Sequence, residues 1–189
     1  ILNSYLLQFS RMFASSLDKI IIVPIFGFAI LGNYALGMQF YMLFLIIPSI
    51  IFQYIVPQDA SGNPSIVLKK ITVLISVVIT ILGIIFSPIV IKIMFPEFTD
   101  AISIVQIIVL GVIPGTINYM YISKFLGNLQ NKVILVSSCI FLVSIILGMT
   151  ILGKFFDIYG IATAFVLAGT MESIFLVIMD KYYKIKSNK

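Results

Sequence analysis

The sequence has no histidine and one cysteine, Cys139. A disulfide framework is impossible, and a Cys/His metal site or a histidine-based catalytic triad is excluded. Charge is scarce as well: 10% of the 189 residues are Asp, Glu, Lys or Arg, against about 25% in soluble domains. There is no Gly-rich phosphate loop and no nucleophile beside a base. Nothing here reads as an enzyme, a metal centre or a cofactor box. The net charge of +5 comes from basic residues that stand singly between apolar runs or at their ends. That pattern sets membrane orientation rather than nucleic-acid binding.

What is present is apolar. Hydrophobic residues make up 61% of the chain and mean hydropathy is +1.19, too much to hide inside one soluble core. The fold expected is an all-α polytopic membrane protein. The chain opens on Ile1, without the basic segment, short apolar stretch and cleavage site of a signal peptide. It is therefore expected to be part of a longer polypeptide.

A spanning helix needs about 20 mainly apolar residues, and Pro, Gly, Asn and charge clusters mark the breaks. Six spans follow, approximately 2–28, 34–56, 67–95, 101–125, 133–152 and 158–179, with breaks at Leu31–Asn33, Gln58–Ser65, Pro96–Asp100, Gly127–Lys132 and Gly153–Asp157. One side carries Lys69, Lys70, Lys124, Lys132, Lys181, Lys184, Lys186 and Lys189, and the other only Lys92 and Lys154. Positive residues stay inside, so both termini of this segment are expected in the cytoplasm of a cell membrane protein.

The first span carries Arg11, Asp18 and Lys19, each costing about 2.5–3.5 kcal/mol near a helix centre. Arg11 and Asp18 are two turns apart and share a stripe with Ser4 and Ser15, with Gln8 close beside it. This face reads either as a self-neutralising pair or as the lining of a hydrated cavity, with Arg11 open to an anionic group; intramembrane charge favours the lining. Lys19 points elsewhere. In the sixth span Gly160, Ala164, Ala168 and Glu172 form one ladder, whose small residues let another helix approach. Glu172 lies at a depth similar to Lys124, so an ion pair between them is one reading and proton coupling through Glu172 the other. Pro48, Pro88, Gly111 and Pro114-Gly115 interrupt the spans, as suits a transporter whose lobes rock. Asn118, one turn after Pro114, is placed toward the freed carbonyl or the cavity. Tyr34, Phe95, Phe98, Phe155, Phe156, Tyr159, Tyr182 and Tyr183 form an interfacial aromatic belt.

The order of three segments resembles the second lobe of a polysaccharide or O-antigen flippase, of the multidrug/oligosaccharidyl-lipid/polysaccharide exporter superfamily. The first is Asp18, Gly27 and Gly32-Asn33-Tyr34 with Ala35. The second runs from Phe86-Ser87-Pro88 through Phe95-Pro96-Glu97-Phe98 to Ala101. The third pairs Gly127–Lys132 with Tyr159–Ala164, and Pro57 also fits. The resemblance covers essentially the whole chain, but such flippases have twelve or more spans in two lobes, so six make one lobe of a two-lobe exporter. It implies alternating-access transfer of a lipid-linked oligosaccharide from the cytoplasmic to the outer leaflet, with a missing N-terminal lobe or a second copy as partner. Arg11 would meet the pyrophosphate or sugar, guanidinium suiting phosphate geometry, and Asp18 would orient Arg11 or pair with a coupling cation. Three other readings stay open: a drug/cation antiporter of the same superfamily, a membrane-embedded glycan-polymerising enzyme, and a structural six-helix subunit.

Overall fold

A computed structural model of the chain describes residues 22–187. Every regular element among them is helical. A short helical stretch over 22–26 stops at Gly27, whose φ of 84° only glycine adopts without strain. Helix α1 (Phe28–Ala60) follows and continues through Leu31-Gly32-Asn33, where a break was expected. The break sits at Gly27, and Gly32 and Asn33 take the helical conformation. At its far end α1 passes Pro57 and stops at Ala60, ahead of Gly62 with φ 79°. The expected loop at Gln58–Ser65 is thus shorter, and Asp59 belongs to the helix.

Helix α2 (Ile66–Met94) contains Pro88 and ends before a 3₁₀ turn at Pro96–Phe98. Helices α3 (Ala101–Val109) and α4 (Val112–Gly127) make one interrupted rod. Pro114 explains the interruption. It has no N–H for the Leu110 carbonyl, so Ile113 donates there at 3.4 Å and Gly115 donates to the Gly111 carbonyl at 2.9 Å.

The last helical stretch, Asn131–Ser187, leaves helical geometry at Phe156 and Asp157. Its apolar part, 55 residues long, would be about 80 Å if straight at 1.5 Å per residue, far beyond the roughly 30 Å of a bilayer core. The break instead makes two antiparallel arms, α5 (131–155) and α6 (158–187). Cβ atoms placed at Gly148 and Gly160 would meet Ala164 Cβ at 2.8 Å and the Leu152 carbonyl oxygen at 1.9 Å. Gly160 and Ala164, two rungs of the small-residue ladder, are therefore where α6 touches α5.

Among the described residues, four helices are long and apolar enough to cross a membrane: Phe28–Ala60, Ile66–Met94, Ala101–Gly127 and Asn131–Ile185. Residues 1–21, most of the first expected span, lie outside the described residues. The Ala101–Gly127 rod is central, with 56% of its apolar window buried against 22–28% for the other three. α1 and α6 run parallel to it, with Tyr41 at Gly115 and Asn118 at Glu172.

The faces are arranged for lipid. α2 buries Thr72, Ser76, Thr80, Gly83 and Ser87 while exposing Leu74, Val78, Ile81, Ile85 and Ile89. Three of these hydroxyls turn back on their own helix, Thr72 donating to the Leu68 carbonyl at 2.7 Å, Ser76 to that of Val73 at 2.7 Å and Thr80 to that of Ser76 at 2.8 Å. A Cβ at Gly83 would lie 2.8 Å from the Phe44 ring and 2.9 Å from Val109, so small residues mark the close approach of α1 and α3. Hydroxyls inside and aliphatics outside make sense where the surroundings are as apolar as the side chains. Such helices are compatible with a membrane protein.

Candidate functional site

Between α1, α4, α5 and α6 lies a cavity of about 320 Å³. α1 supplies Met38, Tyr41 and Met42, the α3–α4 junction supplies Gly111, and α4 supplies Gly115, Asn118, Tyr119 and Ile122. The arms add Ser138, Phe141, Ile145, Phe165, Gly169 and Glu172. Glycine creates part of this room. A Cβ at Gly115 would stand 2.6 Å from the Tyr41 hydroxyl, and one at Gly111 would stand 3.1 Å from the Phe165 ring. The Tyr41 ring meets Phe165 edge-on, 4.9 Å between centroids and 85° between planes. Of the described lining residues, Glu172 alone is a carboxylic acid, and none is basic.

Glu172 sits in a hydrogen-bonded network that ties α4 to both arms. The Asn118 side-chain amide donates to Glu172 Oε2 at 2.9 Å and lies 3.4 Å from the Gly169 carbonyl. Ser137 Oγ is 3.1 Å from Glu172 Oε1 and 2.9 Å from the Ile134 carbonyl. Ser173 Oγ has one proton and three acceptors in reach: Asn118 Oδ1 at 2.7 Å, the Gly169 carbonyl at 2.9 Å and the Pro114 carbonyl at 3.1 Å. The Pro114 carbonyl thus becomes an anchor for α6.

Lys124 is not the partner of Glu172. It pairs with Asp180, whose second carboxylate oxygen is 3.2 Å from Lys184. Helical rise explains the correction. Asn118 meets Glu172, and Lys124 lies six residues further along α4, about 9 Å deeper at 1.5 Å per residue. Because α6 runs parallel, the acid at that depth comes after Glu172, and it is Asp180. A second, more open cavity of about 520 Å³ surrounds this pair, lined by Lys124, Phe125, Asn128, Gln130, Asp180, Tyr183 and Lys184.

A separate clamp forms beside it. Asp59 of α1 is 2.5 Å from Lys69 of α2 and accepts from Ser123 of α4, also at 2.5 Å. Its carboxylate is 2% exposed, and a Cβ at the neighbouring Gly127 would meet the Asp59 backbone at 2.6 Å. Ser123 and Lys124, adjacent on α4, so reach two different acids on two different helices.

Of the residues singled out in the sequence, Asn118 and Glu172 are brought together on the cavity, and Lys124 is set apart from them. Gln8, Arg11, Ser15 and Asp18 lie outside the described residues. Sequence reading missed Tyr41, Ser137, Ser173 and Asp180. Asp180 carried a signal, since it precedes Lys184 by four residues; a lone serine or tyrosine in an apolar span carries none. Among the described residues, no cluster of His, Cys, Asp and Glu could hold a metal ion. Comparisons of the chain with protein-family models, curated proteins and solved structures find no match.

Proposed function

We propose that this chain is one lobe, with six spans, of an exporter that moves a lipid-linked oligosaccharide from the cytoplasmic to the outer leaflet of the cell membrane. The observation that carries the reading is the cavity among apolar helices, with an acid, an amide and hydroxyls on its wall. Ionisable groups at membrane depth mark transport paths, and a rod interrupted at Leu110–Gly111 beside that cavity suits a helix that bends between states. The flippase-like order of Asp18 to Ala35, Phe86 to Ala101 and Tyr159 to Ala164 supplies the substrate class. In this reading Arg11 meets the pyrophosphate or sugar, and the lysine-rich side faces the cytoplasm.

One observation favours a second reading, a drug/cation antiporter of the same superfamily. Glu172 is an acid on a described lining that has no basic residue, which suits a cationic substrate. A glycan-export assay in cells dependent on this protein separates the two. Arg11→Ala at normal protein level abolishes export if the flippase reading is right. Normal export by that variant, together with sensitivity to small cations in Glu172→Gln cells, selects the antiporter. An antibody to the Lys181–Lys189 tail tests the lobe assignment, which expects a native polypeptide of roughly twice the 21.0 kDa of this chain. The same antibody binds only after permeabilisation if the tail is cytoplasmic.

A further inference from the structure

We propose that the cavity around Lys124 and Lys184, at the C-terminal end of α4, binds a phosphate group, and that this group is the head of an anionic lipid. The inference goes beyond the exporter reading and does not depend on it.

The charge count comes first. Lys124 of α4 pairs with Asp180 Oδ1, and Lys184 stands 3.2 Å from Asp180 Oδ2. Both lysines and the acid they share line the cavity. Two ammonium groups against one carboxylate leave the described lining with a net positive charge. Each ammonium carries three donors and gives one to Asp180, so both lysines keep N–H groups for a second acceptor. Asn128, just past the end of α4, and Gln130, just ahead of α5, add side-chain amides to the same lining. The turn that carries them is fixed by its backbone, the Asn128 N–H donating to the Lys124 carbonyl at 3.1 Å and the Gln130 N–H to the Phe125 carbonyl at 2.8 Å. A phosphodiester brings one negative charge and oxygens that only accept, which is the complement of this lining, and lysine is an established phosphate partner.

The rim decides between a lipid and free phosphate. Leu129, between the two amides, and Tyr182 and Ile185, which flank Tyr183 and Lys184, are all exposed. Apolar side chains beside a cationic cavity suit a molecule with a charged head and apolar tails, and they offer nothing to free phosphate. Lysine and tyrosine at the end of an apolar helix are the residues that meet head groups, and basic pockets between spans at that level hold anionic ones. The cavity has room for such a head, since its 520 Å³ falls within the roughly 300–1,000 Å³ of small-ligand sites. Tyr183 is packed against Phe125, with ring centroids 6.4 Å apart, so the cavity is shaped by packing within the bundle.

The test is electron spin resonance of spin-labelled lipids, with the 189-residue chain in phosphatidylcholine vesicles. Labelled phosphatidylglycerol should be immobilised by the protein in preference to labelled phosphatidylcholine. Lys184→Gln alters a largely exposed side chain and keeps the fold; it should lower that preference about fivefold, the worth of one lysine beside an anionic head group. Lys70→Gln is the control. It removes an exposed lysine from the same end of the bundle, next to the Asp59–Lys69 clamp and off the cavity, and should leave most of the preference. Equal immobilisation of the two lipids overturns the proposal. Equal losses in the two variants also overturn it, because they reduce the effect to general surface charge. Excess inorganic phosphate should leave the preference intact. If phosphate abolishes it where sodium chloride of the same ionic strength does not, the site takes free phosphate and the lipid source is overturned.

Discussion

Gly160→Ala should unfold the α5–α6 hairpin, whereas Gly169→Ala, on the same helix, should leave it intact. At Gly160 the added methyl group would sit 1.9 Å from the Leu152 carbonyl oxygen and 2.3 Å from its carbon. Ordinary contact begins near 3.4 Å, so the arms must part by about 1.5 Å at a point where both surfaces are backbone and no rotamer change helps. Parting them also strips the next contact down, Gly148 against Ala164. The cost lies at or above the upper end of the 1–3 kcal/mol typical of overpacking, so about 3 kcal/mol. At Gly169 the nearest atom is Pro114 Cγ at 3.8 Å. There the methyl group adds ordinary contact and removes glycine's backbone entropy, a gain of up to about 1 kcal/mol. Denaturation in lipid–detergent micelles, followed by helical circular dichroism and by limited proteolysis at Phe155–Asp157, reads both. A Gly160→Ala protein as stable as the parent would refute the tight hairpin, because no other placement of α6 requires a glycine there.

Four further outcomes are expected. Lys69→Met strands a carboxylate that is 2% exposed and should cost about 3 kcal/mol; Asp59→Leu in the same chain should recover most of it in the same denaturation assay. Gly115→Ala presses on the free end of Tyr41 rather than on backbone, so stability should change by less than about 1 kcal/mol, while under the proposed exporter function glycan export falls as the cavity narrows. Lys184, 67% exposed on its side chain, should tolerate alanine to within about 0.5 kcal/mol. Lys124→Ala should cost more in the same melts, because Asp180 would keep only the exposed partner.

The helix boundaries were legible where composition changes abruptly. α2 begins and ends within a residue of expectation because Pro64-Ser65 and Pro96 bracket an apolar run with no competing break. The first turn was not legible, since Gly32-Asn33 looks like a stronger break than the single Gly27, and tertiary packing decides between glycines. The site was half legible. Charge and a kink pointed to Glu172 and Asn118 separately, and only the parallel run of α4 and α6 joins them. The same register moved Lys124 to Asp180, because depth along two helices cannot be read from either one. The hydroxyl face of α2 was present as a four-residue spacing but carries no charge to draw notice, and Ser137 and Ser173 gain meaning only from the acceptors around them.

The two acids that hold Ser123 and Lys124 also grade the stiffness of the central rod. Displacing that end of α4 from α1 and α6 breaks the Ser123–Asp59 hydrogen bond on one flank and the part-buried Lys124–Asp180 ion pair on the other, and lifts Gly127 off the Asp59 backbone. At the opposite end, among the described residues, α3 is joined to its neighbours by side-chain packing and by the Gln106 amide donating to the Ile84 carbonyl at 3.1 Å, with no ion pair. The rod therefore behaves as a lever clamped at its foot. Thermal motion is cheapest beyond Leu110–Gly111, where the backbone ladder is already interrupted, and it dilates the cavity from the end away from the clamps.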